Sequence, residues 1–323
     1  MPAAWTRAIS EGRIGITGVT FEQVSRLDFA PARFDQAERG LELGENGIRR
    51  AIGAVLAGAP AVGIPVFLTR EHMQRNLLVL RDSPIKEPRD LIGKRIGSWL
   101  EITSGSGAGV ALLLEQAYGI PLDQIEWHMG NPPPTYSNRM NVKVVGHALT
   151  PDQHFERLVR GDIDAFLSTT GPRYFSMFGG GDPVYGRYAE SHLVRPIMAD
   201  PAMMADAYRR TGLYPITDIT IVSPEVAAEH PALLLQLIDA FSEANALASE
   251  YRDSEENALA EEQLRLFGDD PHVYCLNANQ RKNLVDFIDI LYRLGGIERI
   301  VEPEALFVPS TINRAPGDCP RVS

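Results

Sequence analysis

The sequence predicts an α/β fold in two lobes, with the chain crossing between them twice, and three stretches carry that expectation. Ile64-Pro65-Val66-Phe67-Leu68 is a short apolar run of the kind buried in an α/β sheet. The polar turn after it stands at a strand end, where open α/β sheets take their ligands. Residues 82–95, DSPIKEPRDLIGKR, form a polar connector with two prolines leading into a fresh strand at 94–99, as expected where one compact unit hands over to another. Thr103-Ser104-Gly105-Ser106-Gly107-Ala108-Gly109 precedes the apolar Val110-Ala111-Leu112-Leu113-Leu114. Backbone N–H groups and hydroxyls therefore gather at a helix start, a natural seat for a carboxylate or phosphate.

Composition narrows the class. A chain of 323 residues, 44% of them hydrophobic, has ample material for a core and is more natural as two lobes than as one. Net charge is -11 and no basic run stands out, which argues against a nucleic-acid partner. The opening MPAAWTRAISEGRIGITG lacks the apolar centre of a secretory signal, and no apolar run is long enough to span a bilayer. No membrane partner is expected, and the expected location is the cytoplasm. Cys275 and Cys319 lie far apart without CxxC spacing, which supports neither a disulfide framework nor a structural zinc site.

In chain order, residues 6–16 read as a turn at Glu11-Gly12 with a short strand, and 41–56 as a helix packed through Ile48, Ala51, Ile52 and Val55. Strands at 77–80 and 94–99 lead to a helix over 110–118, closed by Gly119, a residue that admits positive φ without a Cβ clash. A strand from Ile125 runs into 131–136, where three prolines suit neither helix nor ladder and predict a surface loop. A helix over 152–160 stops at Gly161, and a strand over 163–167 returns the chain to a second crossing at 168–173. Residues 175–200 read as loop with a short helix, 216–222 as a strand, and 225–251, 255–267 and 279–294 as helices. Lobe one is expected from 1–93 with 171–323, lobe two from 94–170, and the ligand cleft between them.

Several of these segments together resemble the 4,5-dihydroxyphthalate decarboxylase family: IPVF with its basic turn, EPRDLIGKRIG, RLVRGDIDAFLS, RRTGLYPI and EPEALFVPST, spanning Thr6 to Thr311. DLIGKRIG is shared with many transporter binding proteins, whereas RRTGLYPI and LFVPST are more particular. The resemblance implies a type 2 periplasmic-binding-protein-like fold, each lobe a mixed, mainly parallel sheet flanked by helices. It also implies a cytoplasmic homo-oligomeric enzyme whose partner is a small aromatic carboxylate. Two departures stand out. The family's first strand is reduced here to Met1-Pro2-Ala3-Ala4-Trp5, and Asp218 stands where relatives carry a histidine after the TG..PI motif.

A carboxylate in a partly dry site calls for charged, forked donors, so Arg70 and Arg75 of the central turn and Arg173 of the second crossing are the first candidates, with Arg210 beside them. For each, a surface ion pair is the alternative. Asn76, Thr103, Ser104, Thr169 and Tyr214 are expected to line the same cleft. Decarboxylation of a hydroxylated phthalate needs a proton at the ring carbon bearing the departing carboxylate, and a phenol para to it supplies the electrons, so no electron-sink cofactor is demanded. His72 is the preferred general acid, since its ordinary pKa lies near neutrality. Glu38, in a segment resembling the family's strand end, is second if burial raises its pKa; a solvated helix-cap carboxylate is its other reading. Asp218 keeps a possible acid, and Glu38, His72 and Asp218 together leave a divalent metal possible. No HExxH, GxSxG or P-loop pattern occurs. The rival reading is a binding protein on the same fold that passes an aromatic acid or other small anion to a transporter.

Overall fold

The computed structural model describes residues 4–22, 42–68, 70, 73–130, 138–168, 188, 191–198, 200–267 and 273–312. Its strands fall into two sheets. The smaller contains β1 (Leu43–Gly47), β2 (Gly63–Ile64) and β9 (Asp218–Val222), with β9 central and antiparallel to both neighbours. The larger contains β3 (Leu77–Leu80), β4 (Arg95–Gly97), β5 (Glu126–Gly130), β6 (Lys143–His147), β7 (Ala165–Leu167) and β8 (Val194–Pro196), in the order β6-β5-β4-β7-β3-β8. From β6 to β7 it is parallel, and β3 then runs antiparallel to both β7 and β8.

The helices are α1 (Ala4–Ser10), α2 (Ile48–Leu56), α3 (Gly105–Tyr118), α4 (Pro151–Arg160), α5 (Pro201–Thr211), α6 (Pro224–Glu229), α7 (Pro231–Ala246), α8 (Ser254–Phe267), α9 (Ala278–Arg293) and α10 (Pro309–Ile312). Among the described residues no helix is long and apolar enough to cross a membrane. Their ends are written in the sequence. Ser104 caps α3 by accepting from the Gly107 amide, and Thr150 with Gln153 forms a reciprocal capping box on α4. Gly119 and Gly161 end these helices in the left-handed conformation, at φ 65° and 78°.

The middle of helix α3 is apolar on every side: Ala108, Val110, Ala111, Leu112, Leu113 and Leu114 are all buried. A helix of that kind has no face to give to water, so it is enclosed, here against α5, α9 and the 3₁₀ turn Met73–Asn76. One continuous core then joins Ile48, Phe67 and Ile219 beside the smaller sheet to Ile96, Trp127 and Leu167 of the larger.

Several expectations need correcting. The helix expected from Leu41 begins only at Ile48, because residues 43–47 pair with β9. The apolar run at 64–68 is strand only to Ile64; Pro65 has no N–H for the ladder, and the Val66 amide turns back to the Ile64 carbonyl at 2.7 Å. No strand forms over 11–16, which follow α1 as turn and coil, and Pro231 divides the helix expected over 225–251 into α6 and α7. The larger sheet also reaches beyond 94–170, since β3 pairs Leu77 with Leu167 and β8 pairs Pro196 with Leu78. Both crossings therefore lie further out in sequence than the expected lobe boundaries. Cys275 is 2% exposed and disulfide-bonded, contrary to the reading from spacing; its partner lies outside the described residues. The proline loop at 131–136 also lies outside them.

Gly130, the last residue of β5, lies against the turn that leaves β4: a Cβ there would sit 1.8 Å from the Trp99 carbonyl oxygen. Backbone cannot yield as a flexible side chain can, so Gly130→Ala is expected to cost about 3 kcal/mol, the upper part of the usual overpacking range, read as a lowered thermal midpoint. An unchanged midpoint would refute this packing.

Candidate functional site

The N-termini of α2 and α3 meet the smaller sheet at the start of β9. The Ile48 amide donates to the Thr217 carbonyl at 2.9 Å, and Asp218 pairs across the sheet with Gly47, which opens α2. The Thr217 hydroxyl donates to Asp218 Oδ2 at 2.6 Å. From the other side Gly105, the first residue of α3, comes so close that a Cβ on it would lie 3.1 Å from Thr217 Cβ. The N-termini of α2 and α3 therefore flank Thr217 and Asp218, and both present the positive ends of their helix dipoles. Beside them the Asn46 carboxamide oxygen is buried with no hydrogen-bond partner among the described residues.

The turn that carries α3 to this point is tight. A Cβ at Gly107 would lie 2.5 Å from the Glu101 carbonyl oxygen, so only glycine fits, and the Ser104 amide closes the turn onto that same oxygen at 3.0 Å. Glu101 also ties the two sides together: its Oε2 takes Arg49 of α2 at 3.0 Å and the Thr103 hydroxyl at 3.2 Å. Thr103 is fully buried, with Gly296 packed against it.

Of the residues expected in the cleft, Asp218, Thr103 and Ser104 converge here, although the hydroxyls of Thr103 and Ser104 are used within the turn. Asn76 is buried at the start of β3, where its carbonyl accepts from the Ser168 amide just after β7. Arg70 and Tyr214 depart from expectation. The Arg70 guanidinium is 1% exposed, donates to the Tyr214 carbonyl and to Gln280 Oε1 at 3.0 Å, and lies 4.7 Å over the Tyr214 ring. The Tyr214 amide in turn donates to Asn283 Oδ1 of α9 at 2.7 Å. The Arg70 side chain and the Tyr214 backbone together tie the segment before β9 to α9. Arg210 takes its alternative reading too, as an i,i+4 ion pair with Asp206 at 2.8 Å.

Arg75 behaves differently. It ends the 3₁₀ turn Met73–Asn76, is partly buried, and has no hydrogen bond or ion pair among the described residues. Glu38, His72, Thr169 and Arg173 lie outside the described residues. Among those described, no group of three or more His, Cys, Asp or Glu side chains is arranged to hold a metal ion. Sequence reasoning missed Asn46, Arg49, Glu101 and Thr217. The one signal available was the placing of Glu101 just before the small-residue turn; the others come together only through the pairing of β1 with β9.

No family model matches the chain. It is 28% identical over 330 aligned residues to the 4,5-dihydroxyphthalate decarboxylase of Comamonas testosteroni, covering 95% of this chain and 94% of that protein. The crystal structure of the periplasmic aliphatic sulphonate binding protein SsuA from Escherichia coli superposes with a TM-score of 0.50 at 16% identity, covering 96% of this chain and 86% of that one. A putative sulfonate ABC transporter periplasmic sulfonate-binding protein SsuA from Methylobacillus flagellatus KT superposes at 0.51 with 13% identity, covering 96% and 84%. At such identities the solved structures speak to fold alone, and they agree with the two-sheet architecture described above. Over 95% of its length the chain is similar to 4,5-dihydroxyphthalate decarboxylase, and its fold is the two-lobed, type 2 periplasmic-binding-protein-like α/β fold.

Proposed function

We propose that the protein is a carboxy-lyase that removes one carboxylate from a hydroxylated aromatic dicarboxylate such as 4,5-dihydroxyphthalate, giving 3,4-dihydroxybenzoate. The observation that carries this reading is the end-to-end relationship to the Comamonas testosteroni decarboxylase. Two structural features support it. The N-termini of α2 and α3 meet at Thr217 and Asp218, favouring a carboxylate there, and Arg75 is a partly buried cation without a counter-charge among the described residues.

In this mechanism one carboxylate is gripped and retained while the other departs. A proton adds to the ring carbon that bears the departing group, with the electron pair drawn from the hydroxyl para to it. The carbon–carbon bonding pair then returns to the ring as CO2 leaves, so one proton is consumed for each CO2 released. Asp218 is held in place by the Thr217 hydroxyl and is proposed, with His72 and Glu38, for the proton-delivering set. The same reading makes the enzyme a cytoplasmic homo-oligomer.

The rival, a binding protein for a small anion, draws on the resemblance: Asp218 stands where relatives carry a histidine, so an imidazole that could donate the proton is missing there. Incubation of the purified protein with 4,5-dihydroxyphthalate is expected to release CO2 with the absorbance of 3,4-dihydroxybenzoate. No turnover with or without a divalent metal, alongside thermal stabilisation by the ligand, would establish the rival instead.

Two arginine variants test the site itself. Arg75→Ala is expected to weaken binding of the dicarboxylate by about tenfold or more, roughly 1.4 kcal/mol, with the thermal midpoint unchanged. Arg70→Ala is expected to lower the midpoint instead, because it strips donors from the Tyr214 carbonyl and Gln280 in the interior. Undiminished ligand affinity in Arg75→Ala would remove that residue from the site.

A further inference from the structure

We propose that α4 is clasped to the larger sheet by a stack of unprotonated imidazoles, and that protonation of the stack in mild acid releases the helix. This clasp lies outside the candidate site and does not rest on the proposed reaction.

His128 of β5 and His147 of β6 stack with ring centroids 5.1 Å apart and planes 10° from parallel, His128 Nδ1 lying 3.0 Å from His147 Nε2. His154 of α4 stands edge-on to His147 at 6.0 Å, fully buried, with neither ring nitrogen hydrogen-bonded among the described residues. One turn on, Arg157 Nη2 lies 2.9 Å from His128 Nδ1. A guanidinium only donates, so Nδ1 of His128 is the acceptor and its ring proton sits on Nε2, facing Glu126 Oε1 at 2.7 Å. A second proton on His128 would point an N–H at an N–H.

Among the described residues the nearby carboxylates already carry cations. Glu126 of β5 is paired with Lys143 of β6 at 2.5 Å, Asp164 with Arg95 of β4 at 2.9 Å, and Asp162, in the turn after α4, with Arg160 at 3.3 Å. An imidazolium at His147 or His154 would therefore face Arg157 with no carboxylate bonded to it among the described residues, and Glu126, the acid on the stack, is shared between His128 and Lys143. Burial, with Arg157 beside it, holds all three imidazoles below the ordinary histidine pKa, and His154 at about 4. In the unfolded chain these groups titrate near the ordinary value, so the folded state binds fewer protons at mildly acid pH. The stabilisation is complete above about pH 6.5 and is lost as pH falls toward the folded values.

Helix α4 is poorly insured against that loss. Its only buried residues are His154 and Leu158, with Phe155 partly buried against Phe166 and Tyr188. Charging His154 thus converts one of two buried anchors into a buried, unpaired cation.

Hydrogen–deuterium exchange, corrected for its intrinsic pH dependence, tests the clasp at about pH 7.5 and about pH 5. Protection of α4 is expected to fall by about tenfold or more at the lower pH while that of α9 holds, and His154→Leu is expected to keep α4 protected there. Equal protection of α4 at both pH values, or parallel loss in α4 and α9, would overturn the proposal. Should the variant not fold, a ring-proton NMR titration of the wild type decides. Three histidines titrating below the ordinary value in step with the α4 amides support the clasp; titration at the ordinary value with α4 undisturbed refutes it.

Discussion

A helix whose middle is apolar all round can begin only where something polar ends, and α3 imposes that constraint on the whole molecule. With Ala108 through Leu114 buried almost without interruption, its body must be wrapped by α5, α9 and both sheets. Its first turn is the one part whose backbone donors are not used within the helix. The glycines there, Gly105 and Gly107, let that turn press against Thr217 and the Glu101 carbonyl without side chains in the way. Packing demand thus brings the first-turn N–H groups of α3 beside Thr217, at the point the core leaves open.

The charges around this junction divide by what they touch. Arg70 has exchanged solvent for the Tyr214 carbonyl, the Tyr214 ring and Gln280, so its role is to fix the segment before β9. Arg293 of α9 is spent on Glu115 of α3, and Arg49 on Glu101. Each of these pairs joins elements that pack on one another, which is the use expected of a guanidinium with a carboxylate in reach. Arg75 alone among these arginines is partly buried with no such partner among the described residues. Desolvating a cation without a counter-charge costs stability unless a ligand supplies the anion, and that asymmetry singles it out from arginines the sequence presents as equals.

Legibility in the sequence followed the range of the interactions. Stops at Gly119 and Gly161 depend on one residue's φ, and the strand at 77–80 on four apolar residues in a row, so both could be read locally. Strand β1 could not: Leu-Gly-Glu-Asn-Gly has little intrinsic preference for a strand and is one only because β9 lies beside it. The same non-local pairing hid Asn46 and Thr217, and the extension of the larger sheet to β3 and β8 hid the true crossings. Arg70 was misplaced for a related reason. A basic residue in a turn at a strand end is equally able to reach out or fold back, and only the later arrival of Tyr214 and α9 decides between them.

Binder and lyase can share everything so far described, because gripping a carboxylate and breaking its bond make different demands on the same walls. A receptor needs only donors; a decarboxylase also needs one group that can give up a proton beside the ring carbon. At Asp218 the two demands separate by oxygen atom. Oδ2 accepts the Thr217 hydroxyl and is committed as an acceptor, whereas Oδ1 lies on the side of Gly47, where the positive end of α2 opens. The Thr217 hydroxyl thereby fixes the plane of the Asp218 carboxyl beside the two helix starts. That geometry suits Thr217 to positioning Asp218 under either reading, and Arg75, with no partner among the described residues, is the cation left for the retained carboxylate in the proposed reaction.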